Sequence, residues 1–526
     1  MYDIVIRGGR IVDGTGAPGF RADLGIVGDR IAALGSLHSA EAGVVVRAEG
    51  LVVAPGFVDF HSHSDVSLLA DPRAESAVRQ GITTQLVGNC GFSAAPVPVE
   101  DHASFKRDGL MFSHAGYEWA WTTMAEYRQE LKRARLAINV LTLVGQTTLR
   151  AAVLGQADRP ASDAELDQMR HLLERALEDG AVGLSSGLTY SPGCYASTSE
   201  LVSLADVLGG SGLGYHTHLR NYGAGLPEAF GEALQVTGDG RVPLFVSHLY
   251  PSGREQWGTA PRITAWLEAA RARGAEVCFD ITPWLRGGGP FHQYLSGWAR
   301  AGGVSALLDR LTDARIRRAI CRELDTGVSG LRPDWADELI VRVGLPEHSQ
   351  WVGKTVAELA EARGKPAADA ALDLLAEDDG QLWVAPTSKS DADVELLLCH
   401  PLGIPVTDGI TVAIDGPLGR AEMQKSFGTF PRVLGHYVRE RGILSLESAV
   451  HKSSGEPARR LGLWNRGILR PGLAADVTVL DPPTVRDAGG ERAGGRYPHG
   501  IRYVIVNGQL TVTPDGHTGA RAGQVL

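Results

Sequence analysis

Ala54-Pro-Gly-Phe-Val-Asp-Phe-His-Ser-His-Ser-Asp65 is the stretch from which the fold is read. Apolar residues reach a Pro-Gly break, restart over Phe57-Val-Asp-Phe60, and end in two histidines one residue apart. On an extended strand the side chains at i and i+2 share a face, so His61 and His63 project together. Two imidazoles converging where a strand runs out meet the first requirement of a transition-metal site.

Downstream, the rhythm is strand, loop, helix. Apolar strands are predicted at Thr84–Gly88, Ile138–Val144, Ala181–Ser185, Gly214–His218, Leu244–His248, Ala275–Asp280, Leu382–Ala385 and Ile404–Thr407. With Phe57–Phe60 this is one strand more than a (β/α)8 barrel needs, and an insertion would account for it. An amphipathic helix is predicted over Asp163–Leu177, where Leu166, Met169, Leu172, Leu173 and Ala176 form one stripe behind a Ser162 start. Such alternation predicts an α/β fold, a TIM-like (β/α)8 barrel with helices outside, over residues 55–465. A Gly-rich, then charged and helical segment near 285–345 reads as an insertion. Residues 1–54 and 466–526 instead carry short strands broken by glycine, predicted to build one small β-sandwich from both termini.

Bulk properties narrow the function. A chain of 526 residues exceeds what one core usually holds, and its 66 glycines and 27 prolines predict many tight turns. A net charge of −10 without a basic block argues against a nucleic-acid partner. No apolar run reaches the ~18 residues of a membrane span, and the strand-like N-terminus lacks a signal pattern, so a cytoplasmic location is expected. The five cysteines are odd in number and widely spaced, which fits a reducing compartment better than a disulfide framework. Four read as buried filler; Cys90 does not.

In a TIM barrel the chemistry sits at the C-terminal strand ends. Those ends carry His61 and His63, Cys90, His216 and His218, His248, and Asp408. A single histidine there would say little. Five strands ending in metal-competent residues point to a metal site, since thiolate, imidazole and carboxylate are the zinc donors.

At this point the chain resembles the D-aminoacylase (N-acyl-D-amino-acid deacylase) family of the amidohydrolase superfamily. The motifs run end to end: Pro55–His63, Arg79-Gln-Gly-Ile-Thr-Thr84, Gly88-Asn-Cys-Gly-Phe-Ser93, Gly183-Leu-Ser-Ser-Gly-Leu188, Thr217-His-Leu-Arg220, Gly428–Gly435 and Gly467–Asp476. Gly-Asn-Cys-Gly is the most specific, because most of the superfamily bridges its metals with a carboxylated lysine. The resemblance implies a zinc-dependent hydrolase acting on the C–N bond of a small-molecule amide, an N-acyl-D-amino acid or a related modified amide. It implies a tightly held Zn2+ on Cys90, His218 and His248, a second, weaker position at His61 and His63, and Asp408 as the catalytic acid/base. His216 is expected to be a structural neighbour. Oligomeric state is not encoded in any of these motifs.

Several pocket positions depart from the family pattern. The lysine expected after the strand histidines, which would bind the substrate carboxylate, is Tyr250. The usual Asp-x-Tyr-Pro-Tyr is Asp280-Ile-Thr-Pro-Trp284, and Gln146 replaces a histidine. Tyr250, Arg220 and Trp284 are therefore the expected substrate contacts, and a plain free carboxylate is not the expected substrate. Arg220, Arg286, Arg420 and Lys425 are the candidate cations for a different clamp. Two other readings stand beside this one. One is a cyclic-amide hydrolase of the hydantoinase or dihydroorotase kind, disfavoured by Cys90. The other is a non-hydrolytic biosynthetic relative that keeps the metal site.

Overall fold

The computed structural model describes all residues except 99–104, 106–116, 239, 328–331, 417–422 and 492–493. Arg420 therefore lies outside the described residues.

Eight strands carry the barrel: Phe57–Asp59, Ile82–Val87, Asn139–Thr142 (continued past Leu143 as Val144–Gly145), Gly183–Gly187, Gly214–His218, Leu244–Val246, Val277–Ile281 and Gly403–Pro405. Neighbours pair in parallel in this order, with registers such as Thr217 opposite Val246 and Phe279 opposite Gly403. Helices cover one side of such a sheet and packed side chains the other, so its strands read as unbroken apolar runs; Ile82–Val87 is buried at every position. Closure comes at the first and last strands. Ser62 bridges Gly409 in parallel, and the Asp59 carboxylate accepts from both the amide (3.0 Å) and the hydroxyl (2.6 Å) of Thr407.

Among the outer helices, Asp163–Glu178 starts at Ser162, whose hydroxyl and the Glu165 carboxylate satisfy each other's backbone amides in a capping box. It buries Met169, Leu173 and Ala176. The ninth strand expected from the sequence is real but lies elsewhere. Trp383–Ala385 pairs antiparallel with Leu339–Arg342 and with Gly289–Pro290, in a small sheet over a separate core that includes Phe291, Ile340, Leu372 and Val384. A short apolar run cannot announce which core it joins. The segment that interrupts the barrel alternation thus reaches beyond residue 345.

The two ends of the chain share a seven-stranded sheet. Val52–Pro55 pairs antiparallel with Val477–Leu480, placing Val53 opposite Val479. A four-stranded sheet from residues 2–47 packs against it over Ile4, Leu24, Ile26, Val477 and Ile505. No helix among the described residues is long and apolar enough to cross a membrane.

Candidate metal centre

The barrel strands deliver their terminal side chains into one buried cluster. Cys90 Sγ lies 3.3 Å from His61 Nε2, 3.4 Å from His248 Nε2 and 3.7 Å from His218 Nδ1. Asp408 Oδ1 lies 3.5 Å from His61 Nε2 and 3.2 Å from His63 Nε2. One donor atom each from His61, Cys90, His248 and Asp408 falls within 4.8 Å of the others. All five sulfur and imidazole side chains are buried.

Backbone shape aims three of these groups. Cys90 (φ 53°), His248 (φ 32°) and Asp408 (φ 45°) are left-handed, a region costly for side-chain-bearing residues. Each stands where a strand stops and the chain must turn across the barrel mouth. Such strain persists only where the surroundings over-determine it, and it gathers at functional sites. Glycines make the approach possible. A Cβ on Gly91 would sit 2.5 Å from the Gly187 nitrogen, and one on Gly187 1.9 Å from the Cys90 carbonyl oxygen.

A second layer fixes the rings. Asp280 Oδ2 is 3.0 Å from His61 Nδ1, leaving Nε2 to face the sulfur, and Asp280 Oδ1 accepts the His248 amide at 2.6 Å. Thr189 Oγ1 lies 2.8 Å from His218 Nε2, leaving Nδ1 toward Cys90. Ring orientation set by a partner on the far nitrogen is the usual support of a metal-binding imidazole. Lys425 Nζ contacts Asp408 Oδ2 at 3.0 Å.

The electrostatics suit a cation. Burial holds His218 down to about 3 and His63 to about 4, and drives His248 well below its ordinary value, so all three present neutral imidazoles. His61 goes the other way: burial opposes its charge, but Asp280 and Cys90 together outweigh that and raise it. Burial also pushes the Cys90 thiol up. A coordinating cation reverses that, because a ligating thiol is deprotonated outright. Burial works against the Asp408 charge as well, yet Lys425 and the His63 hydrogen bond keep its carboxyl well below the ordinary range. A soft thiolate, neutral imidazoles and an ionised carboxylate at one buried point are a donor set that fits zinc.

The remaining expected residues are distributed as follows. Tyr250 and Arg220 line a cavity of about 390 Å³ that opens from His63, His218, His248 and Asp408 toward the segment 286–300. Arg220 is already held by both Glu232 oxygens at 2.9 Å. Trp284 does not line this cavity. Its indole N–H donates to Thr429 Oγ1 at 2.8 Å and its ring carries the Arg432 guanidinium, so it is turned into the protein. His216 packs between Phe60 and Phe245. Gln146 supports Glu200, the partner of the buried Arg150. Sequence reasoning missed Asp280 and Thr189 as supports. Asp280 carried a signal, since it too closes an apolar strand; Thr189 carried none.

Comparison with known proteins gives the same picture over the whole chain. The Amidohydrolase family model matches residues 44–512. A D-aminoacylase from Alcaligenes xylosoxydans xylosoxydans is 34% identical over 525 residues, spanning 100% of this chain and 97% of its own. The crystal structure of N-acyl-D-glutamate deacylase from Bordetella bronchiseptica, complexed with zinc and a phosphonate that mimics the tetrahedral intermediate, superposes with a TM-score of 0.85 at 32% identity, covering 100% of this chain and 99% of that one. A D-aminoacylase whose binuclear metal centre is described as activated by one metal and attenuated by a second superposes at 0.81 with 30% identity, covering both chains completely. The chain is therefore a member of the amidohydrolase family, in its D-aminoacylase branch.

Proposed function

We propose that this chain is a zinc-dependent amidohydrolase that cleaves the amide bond of an N-acyl-D-amino acid or a related modified amide. The observation that carries the reading is the position of Asp408. Its ionised carboxylate stands beside the Cys90–His61–His248 group and lines the adjoining cavity. Two relatives that span the full chain are named D-aminoacylase and N-acyl-D-glutamate deacylase, which supports the same reading.

Cys90, His218 and His248 would hold one zinc tightly, with His61 and His63 facing a second, weaker position. Bound there, zinc would supply a Lewis acid for the amide carbonyl and for the attacking water. Asp408 takes the water's proton as the oxygen adds to the carbonyl carbon, then returns a proton to the amide nitrogen as the C–N bond breaks. One carboxylate serves both steps because they follow each other. Lys425 keeps Asp408 ionised before attack, and the His63 contact orients Oδ1. Tyr190 and Tyr222, both buried around His218, keep bulk water from its ring.

Free cysteines at 90, 194, 278, 321 and 399 fit residence in the cytoplasm. The test joins metal analysis of the purified protein to a screen of N-acyl-D-amino acids, N-acyl-L-amino acids, their carboxamides and hydantoins. Stoichiometric zinc with release of a free amine from the D-series is the expected result. Faster opening of hydantoins would favour the cyclic-amide reading, and absence of any hydrolysis by zinc-loaded protein would overturn both.

A further inference from the structure

Most cations around the cavity are neutralised by neighbours. Arg220 is paired with Glu232, Arg286 with Asp337 at 2.6 Å, and Lys425 with Asp408. Arg300, at the far end, donates to the Thr189 carbonyl at 2.6 Å. Lys389 differs from these. It lines the cavity, its side chain is 1% exposed, and no ion pair holds it among the described residues. Nζ donates to the Thr282 hydroxyl (2.7 Å) and the Trp284 carbonyl (2.9 Å), and lies 4.3 Å from the centroid of the Tyr250 ring. Two neutral acceptors and a π-face are its direct partners. The carboxylates of Glu491 and Asp408 act on it only from beyond ion-pair distance and are themselves paired with Arg432 and Lys425, so the buried ammonium is costly unless an anion arrives.

Two hydroxyls close to it, those of Ser388 and Tyr250, stand tight against the Gly287 backbone. A Cβ on Gly287 would stand 2.8 Å from Ser388 Oγ and 3.0 Å from the Tyr250 hydroxyl oxygen. Gly287 is not in the left-handed region, so its backbone does not demand glycine. What the missing side chain allows is this close approach of the backbone to two cavity-lining hydroxyls, one of them on Ser388, next in sequence to Lys389. Tyr250 also links this corner of the cavity to the metal cluster, its ring centroid lying 6.3 Å from that of His248. Burial draws Lys389 down to about 7, where a nearby negative charge would restore its proton.

Resting on the amide-hydrolase reading above, we propose that Lys389, with the hydroxyls of Tyr250 and Ser388, is the receptor for the carboxylate of the substrate's amino-acid half and thereby selects acids over their neutral amides. The positive charge comes from a position outside the motifs at which the sequence suggested a clamp.

Binding can be measured without turnover in zinc-loaded Asp408→Asn protein, by calorimetry with N-acetyl-D-methionine and its carboxamide. The acid is expected to bind at least about tenfold more tightly than the carboxamide, the advantage of one charge-assisted contact. Lys389→Met and, independently, Gly287→Ala should each bring the two affinities to within about threefold of each other. Carboxamide affinity and zinc content should be unchanged. Equal binding of both ligands by the parent, or an undiminished preference in folded Lys389→Met, overturns the assignment. Acid-selective binding lost in Lys389→Met, in a protein whose Asp408-intact form hydrolyses nothing, would leave the receptor standing and remove the hydrolase reading.

Discussion

The Asp408 backbone N–H donates to the His61 carbonyl at 3.0 Å, so the acid/base candidate and the first histidine are fixed to each other through the main chain that closes the barrel. Their side chains meet at 3.5 Å as a consequence. Replacing Asp408 by Asn keeps that backbone bond and the shape of the side chain while removing the proton carrier. We expect zinc per chain to stay constant and kcat to fall by about 10²–10⁴. Loss of zinc in this variant, read by elemental analysis, would make Asp408 an essential ligand instead.

Cys90 is the donor with the least substitutable chemistry. Cys90→Ala should abolish tight zinc binding and activity together, and the apo protein should gain no thermal stability on adding zinc. The parent should gain about 2.7 kcal/mol at a hundredfold excess of zinc over Kd. Differential scanning calorimetry with and without zinc measures both.

Thr189 lines the cavity, and its hydroxyl sets the His218 ring. Thr189→Val preserves volume and removes that support. Zinc affinity is expected to weaken by about 10–100-fold, while Thr189→Ser retains it. A competition titration against a chromophoric chelator reads the difference, which a purely packing role would not produce in this pattern.

Glu338 supplies a pH dependence of stability away from the metal cluster. It is buried beneath Tyr294, whose hydroxyl donates to Oε1 at 2.9 Å, and burial raises it from 4.5 to about 8. Because the folded state binds this proton more tightly than the unfolded chain, the stabilisation is fully present below about pH 4.5 and lost by about pH 8. Glu338→Gln keeps an acceptor for Tyr294 and cannot ionise. Its Tm should match the parent near pH 4 and exceed it near pH 9; identical pH profiles would contradict the assignment.

Much of this was legible because barrel strands advertise themselves. Their interiors are apolar and their ends abruptly polar, so His61, Cys90, His218, His248 and Asp408 could be picked out one strand at a time. What binds these ends together was not legible. The left-handed turns at Cys90, His248 and Asp408 depend on neighbouring backbone, and Thr189 meets His218 only because two strands lie side by side. Trp284 reads as a pocket residue by its place after Asp280, yet Thr429 and Arg432, distant in sequence, turn its indole inward. Lys389 sits in a polar run, Ser388-Lys-Ser-Asp391, outside every motif quoted from the sequence; in the structure the run leads into the helix Asp391–Cys399.

The pairing of Val53 with Val479 joins residues that leave the ribosome far apart in time. The emerging N-terminal strand must wait, its edge unsatisfied, until the whole barrel and the last strands have been synthesised. Contacts that span so much sequence slow the search for the native state. Refolding from denaturant should therefore be sluggish and prone to clumping, and a barrel excised between residues 55 and 465 would come away with a raw seam.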